Sequence, residues 1–111
     1  MDNEKYVALI EALRLKAAEI LPAGSRLSLY GSRARGDARP DSDWDIQVLI
    51  PGDERISLSE IDKYAAPLEQ VGWDFDEFIC ARVYSFAGWL KRSFLPFYKN
   101  VEHDKVIIFQ S

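Results

Sequence analysis

Apolar residues change their spacing several times along this chain, and each change marks an element boundary. Between Glu4 and Leu21, the residues Val7, Ile10, Leu13, Ala17, Ile20 and Leu21 recur at helical intervals, which predicts a helix with one face on a core. Asp2 and Asn3 precede it as candidate caps, and Pro22-Ala23-Gly24 stops it. Leu27 and Leu29 alternate with polar neighbours, predicting a short strand over Arg26 to Gly31. Trp44, Ile46, Val48 and Ile50 then alternate with Asp43, Asp45, Gln47 and Leu49. That period of two predicts a strand with one core face, ended by Pro51-Gly52-Asp53.

Ser57 and Glu60 have capping-box spacing, and Leu58, Ile61, Ala65, Leu68 and Val71 continue at helical spacing. Pro67 falls within that run and predicts a kink or a late helix start. Trp73 to Val83 reads as a further strand, with Trp73, Phe75 and Ile79 on one face and Asp74, Asp76, Phe78 and Cys80 on the other. Glu77 interrupts the apolar face. Ser85 is placed to cap a short helix carrying Phe86, Trp89 and Leu90, Pro96 suits the first turn of another through Val101, and Lys105 to Phe109 forms a last strand. Trp73, Phe75, Trp89, Phe94 and Phe97 are expected in the core rather than on a base-stacking platform, and His103 at a surface helix end. The order predicts an α/β (α+β) sandwich, a mixed sheet of about four strands flanked by helices.

Composition narrows the class. With 111 residues, 48% of them apolar, the chain fits one globular domain spanning 1–111. Fourteen basic against eighteen acidic residues give a net charge of -4, so nucleic acid is not an expected partner. One cysteine, Cys80, and one histidine exclude an internal disulfide and a Cys/His zinc site. No signal peptide and no apolar run of roughly 18 residues is present, which leads to the expectation of a soluble cytoplasmic protein without a membrane partner.

The candidate chemistry lies in "LYGSRARGDARPDSDWDIQVLI", Leu29 to Ile50. Asp43 and Asp45 stand two apart on one strand, so both carboxylates leave the same face, about 7 Å apart at the backbone. Like charges this close repel, and a divalent cation would relieve the repulsion. Upstream, Gly31-Ser32 follows a strand directly, offering backbone N–H groups and a hydroxyl to phosphate oxygens, with Arg33 and Arg35 adding positive charge. The glycine spacing of Gly31 to Gly36 matches a Walker P-loop, but Asp37-Ala38 replaces its Lys-Ser/Thr pair. Arg35-Gly36-Asp37 matches an integrin-binding tripeptide, which conflicts with the lack of a signal peptide.

The stretch "GSRARGDARPDSDWDIQVLI" resembles the signature of the DNA polymerase β-like nucleotidyltransferase superfamily, in particular its minimal nucleotidyltransferases: Gly-Ser followed after about ten residues by D-x-D. "PFYKNV", Pro96 to Val101, resembles the family's C-terminal segment. The resemblance implies that Gly31 and Ser32, with Arg33 beside them, grip ATP or another NTP, and that Asp43 and Asp45 hold Mg²⁺, two ions in the full site. It further implies transfer of a nucleoside monophosphate, in the first instance AMP, to an acceptor hydroxyl. The chain is short for a catalytic core plus an acceptor-binding domain, so the acceptor is expected on a partner. By resemblance that partner is a small helical HEPN-type protein, with this chain as its antitoxin. Self-association stays open. An aminoglycoside-type enzyme shares the core motif but adds a helical domain.

Active family members carry a third acidic residue on a neighbouring strand. Asp76 is the candidate here, as a third catalytic and metal-binding carboxylate beside Asp43 and Asp45. A second register, anchored on "ICARVYS" (Ile79 to Ser85), places Phe78 at that position and leaves two carboxylates. Under that register the chain reads as a catalytically degenerate binding module.

Overall fold

The computed structural model describes residues 3–53 and 55–111. The expected cap at Asp2 and the side chain of Asn3 lie outside what is described. Helix α1 spans Asn3–Ile20, strand β1 Arg26–Tyr30, the short helix α2 Ser32–Arg35, β2 Trp44–Ile50, α3 Leu58–Asp74, β3 Ile79–Ser85, α4 Phe86–Leu90, α5 Pro96–Asp104 and β4 Val106–Gln110. The strands form one mixed sheet in the order β3-β2-β1-β4. β1 runs antiparallel to β2 and β4, and β2 runs parallel to β3. The expected four-stranded mixed sheet flanked by helices is therefore present, and α2 is an additional element that the loop's Gly/Arg/Pro content hides.

One sheet face packs on α1 and α3. Leu27 and Leu29 from β1, Trp44, Ile46, Val48 and Ile50 from β2, and Ile79 and Val83 from β3 meet Leu9, Leu13 and Ala17 of α1 and Leu68 and Val71 of α3. In α1 the buried stripe is Leu9, Leu13 and Ala17, whereas Val7 is exposed. Its alternation also understates β2: the opposite face is covered too, where Tyr30 and Leu49 pack with Trp89 and Val101 from α4 and α5. A strand covered on both sides reads as a near-continuous buried run, and Ile46 to Ile50 are all buried.

The capping signals work as the sequence indicates. Ser57 Oγ accepts from Glu60 N at 3.1 Å, Ser85 Oγ accepts from Gly88 N at 2.9 Å, and Pro96 opens α5. Pro67 does not delay α3, which begins at Leu58 and continues through it.

The main correction falls on Trp73 to Val83. Trp73 and Asp74 are the last turn of α3, and β3 starts only at Ile79. Phe75 N and Glu77 N both donate to Gly72 O at 2.9 Å, and Asp76 takes a left-handed conformation, φ 58°. The reversal packs tightly: a Cβ on Gly72 would stand 2.7 Å from Glu77 O. Alternating Trp/Asp/Phe/Asp thus marks a helix end and turn. Trp73, Phe94 and Phe97 are exposed, while Trp89 is buried and Phe75 packs against the core. No helix among the described residues is long and apolar enough to cross a membrane.

Candidate functional site

β1 and β2 bring the Gly-Ser turn and the D-x-D pair together. Tyr30, the last residue of β1, pairs with Asp45, so Gly31 follows immediately beside that carboxylate. Gly31 has φ +75°, and a Cβ there would stand 2.7 Å from Asp45 Oδ2. Both facts require glycine: an L side chain resists that backbone region and would collide with the acid. Gly31 O then accepts from Ala34 N and Arg35 N at 3.0 Å, forming α2, and Gly36 closes it.

Asp45 is half-buried and Asp43, one residue before β2, is exposed. Neither forms a salt bridge among the described residues. Burial, followed by the Asp43 charge, pushes the Asp45 carboxyl above its ordinary value, and Arg82 and Arg35 oppose that. Two adjacent carboxylates, one of them partly desolvated, are a donor set that fits a hard divalent cation. Tyr30 beside Asp45 is pushed up to about 12, first by burial and then by the Asp45 charge. At neutral pH its hydroxyl is therefore a hydrogen-bond donor, not a base.

Arg33 corrects an expectation. Its side chain is 6% exposed, and its Nη2 donates to Ser42 O at 2.8 Å and Pro40 O at 3.3 Å and meets Glu77 Oε1 at 3.4 Å. The guanidinium also lies over the Trp44 and Tyr6 rings, at 4.6 and 5.1 Å. Arg33 is thus turned into the protein, where it clamps the loop that delivers Asp43, rather than facing phosphate. Arg35 is half-exposed and donates to Asp37 at 3.1 Å and to Asp104 of α5 at 2.8 Å.

Glu77, which interrupts the expected strand, is the centre of this clamp. It accepts from Trp44 Nε1 and Lys5 Nζ, both at 2.8 Å, besides Arg33. Burial alone would raise its pKa; the bonds from Lys5 and Trp44 and the Lys5 and Arg33 charges outweigh that and hold it below the ordinary glutamate value. Sequence spacing could not assign this role, because the partners come from α1, α2 and β2.

Asp76 does not join the pair. It sits on the turn before β3 and lines a cleft of about 250 Å³ with Pro40, Asp41, Ser42, Trp73, Glu77 and Phe78. Among the described residues, no three His, Cys, Asp or Glu side chains gather to hold a metal ion. The physical reason is the late start of β3. Trp44 N donates to Phe78 O at 2.9 Å, Trp44 pairs with Ile79 and Asp45 with Cys80. The neighbouring-strand positions flanking the D-x-D pair are therefore Phe78 and Cys80, as in the second register. Burial pushes the Cys80 thiol up, with Arg82 opposing and Asp45 adding.

Arg82, one position deeper on the same face and paired with Gln47, is a site residue that the sequence did not flag. Its Cζ lies 5.4 Å from the Phe97 ring centroid. Knowledge of the β2–β3 register was the missing signal.

Comparison with known proteins bears on the fold and the family. In fold, the chain is similar to a candidate nucleotidyltransferase from Sulfolobus solfataricus, at 19% identity and a TM-score of 0.65, covering 96% of this chain and 85% of that one. It is also similar to a toxin–antitoxin structure with AMP-PNP, at 15% identity and a TM-score of 0.57, covering 100% of this chain and 75% of that one. No curated protein matches by sequence. The family profile described as nucleotidyltransferase domain matches residues 10–108, which include Gly31-Ser32, Asp43, Asp45 and all four strands up to Ile108. The chain belongs to the nucleotidyltransferase domain family.

Proposed function

We propose that this chain transfers a nucleoside monophosphate, AMP from ATP in the first instance, to a hydroxyl on a partner protein. The partner is a small helical HEPN-type toxin, and the chain is its cytoplasmic antitoxin, a single domain over 1–111. The observation that carries the reading is the juxtaposition of Asp43 and Asp45 with the Gly31-Ser32 turn, so close that Gly31 has no room for a Cβ beside Asp45. The toxin–antitoxin structure with AMP-PNP supports the antitoxin role by likeness of fold.

A magnesium ion held by Asp43 and Asp45 would stabilise charge developing on the phosphoryl oxygens. The protein's own contribution is positioning. Gly31 and Ser32 orient the phosphates, Trp44 and Ile46 lock the back of β2 into the core so that the carboxylates are presented rigidly, and the Arg33–Glu77 clamp fixes the approach to Asp43.

A second reading is favoured by one observation: Phe78 and Cys80, not a carboxylate, flank the pair on β3. A site without that acid lacks a group to activate the acceptor hydroxyl, and the chain would neutralise its partner by binding alone. Incubation with ATP, Mg²⁺ and a HEPN-type partner protein, followed by intact mass spectrometry, separates the readings. Transfer adds one nucleoside monophosphate to the partner with the native chain and none with Asp43→Asn/Asp45→Asn. No mass gain with any NTP, in a mixture where the two proteins still associate, rejects transfer and leaves binding.

A further inference from the structure

The sheet face around Asp43 and Asp45 has the charge of a site for one cation. Among the described residues no third metal-ligating side chain joins the pair. On β3, the residues that share their face are Phe78, Cys80 and Arg82, none of them a carboxylate. Two carboxylates match one divalent ion in charge, and a second ion would have to share them, with no third such side chain among the described residues to hold it.

Three of the arginines at this end of the molecule have described side-chain contacts. Arg33 is clamped inside by Glu77, Ser42 and Pro40. Arg35 is held by Asp37 and Asp104. Arg82 is exposed, forms no salt bridge among the described residues, and is propped by the Phe97 ring. Phe97 in turn packs edge-on against Tyr30, next to Gly31, at 5.8 Å, and against Trp89 at 6.1 Å. A planar cation held against aromatic rings is pre-organised, with its remaining N–H donors available to an anion.

We propose that the site takes a nucleoside triphosphate with a single divalent cation on Asp43 and Asp45, and that Arg82 binds the phosphate chain in place of a second ion. The inference rests on the nucleotide-binding reading above. It makes Arg82 a substrate-positioning residue and Phe97 its support.

The test counts ions and measures affinity, without requiring turnover. Mn²⁺ is titrated against the native chain at saturating AMP-PNP and followed by electron paramagnetic resonance, and AMP-PNP affinity is measured calorimetrically for the native chain, Arg82→Met and Arg82→Lys. One Mn²⁺ per chain is expected. Arg82→Met should weaken AMP-PNP by about tenfold or more, the loss of a charge-assisted hydrogen bond, and Arg82→Lys should recover part of it. Circular dichroism of both variants checks the fold. Two Mn²⁺ per chain, or unchanged affinity in a folded Arg82→Met, overturns the inference while leaving the nucleotide site standing. A native chain that binds no nucleotide overturns both.

Discussion

Gly31 is the position at which backbone conformation and site chemistry are least separable. Its φ of +75° and the 2.7 Å approach of Asp45 Oδ2 to where a Cβ would stand act together. Gly31→Ala is expected to cost about 1–2 kcal/mol from backbone conformation alone, plus the displacement of Asp45. Urea unfolding of the variant reads the first cost, and loss of Mg²⁺-dependent nucleotide binding reads the second. This residue, with Ser32, Asp43 and Asp45, was legible from sequence because the motif is local. Adjacent strands joined by one loop must bring its two halves together. Arg33 was not legible. Its position in the same motif suggested phosphate, but its partners Tyr6, Pro40, Ser42, Trp44 and Glu77 span most of the chain, and only the fold assembles them.

At the scale of elements, the turn between α3 and β3 decides what the site contains. Alternating polarity over "WDFDEF" mimics a strand, because a helix end followed by a turn also places every second side chain outward for a few residues. The tight approach of Gly72 to Glu77 ends the helix late and starts β3 at Ile79, which sets Phe78 and Cys80 beside the aspartates. The same turn presents Glu77 to Lys5 of α1, Arg33 of α2 and Trp44 of β2, tying these elements at one carboxylate. Its depressed pKa has a defined sign. The stabilisation is complete above the unfolded value, about 4.5, and is lost as pH falls through the lower folded value. Thermal unfolding of the native chain and Glu77→Gln should therefore differ by a constant margin at pH 6–7 and converge as pH falls below about 4.5. A margin independent of pH would mean that Glu77 acts through packing rather than charge.

For the whole molecule, a small mixed sheet uses its two faces differently. One face is an apolar seat for α1 and α3; the other carries Tyr30, Asp45, Gln47, Cys80 and Arg82, covered in part by Trp89 and Val101. The element sequence, helix periods and strand alternation were enough to specify the first face, since hydrophobic burial writes itself into spacing. The composition of the second depends on the β2–β3 register, which spacing does not encode. A metal-dependent nucleotide site built from the Gly31-Ser32 turn and the Asp43–Asp45 pair must lose its ligand when either the ion or the carboxylates are removed. Calorimetric titration of AMP-PNP with Mg²⁺ or with EDTA, into the native chain and into Asp43→Asn/Asp45→Asn, measures this. The expected result is saturable binding by the native chain with Mg²⁺, lost on chelation and in the double variant. Absence of binding by the native chain, or equal binding in all four titrations, would rule out such a site.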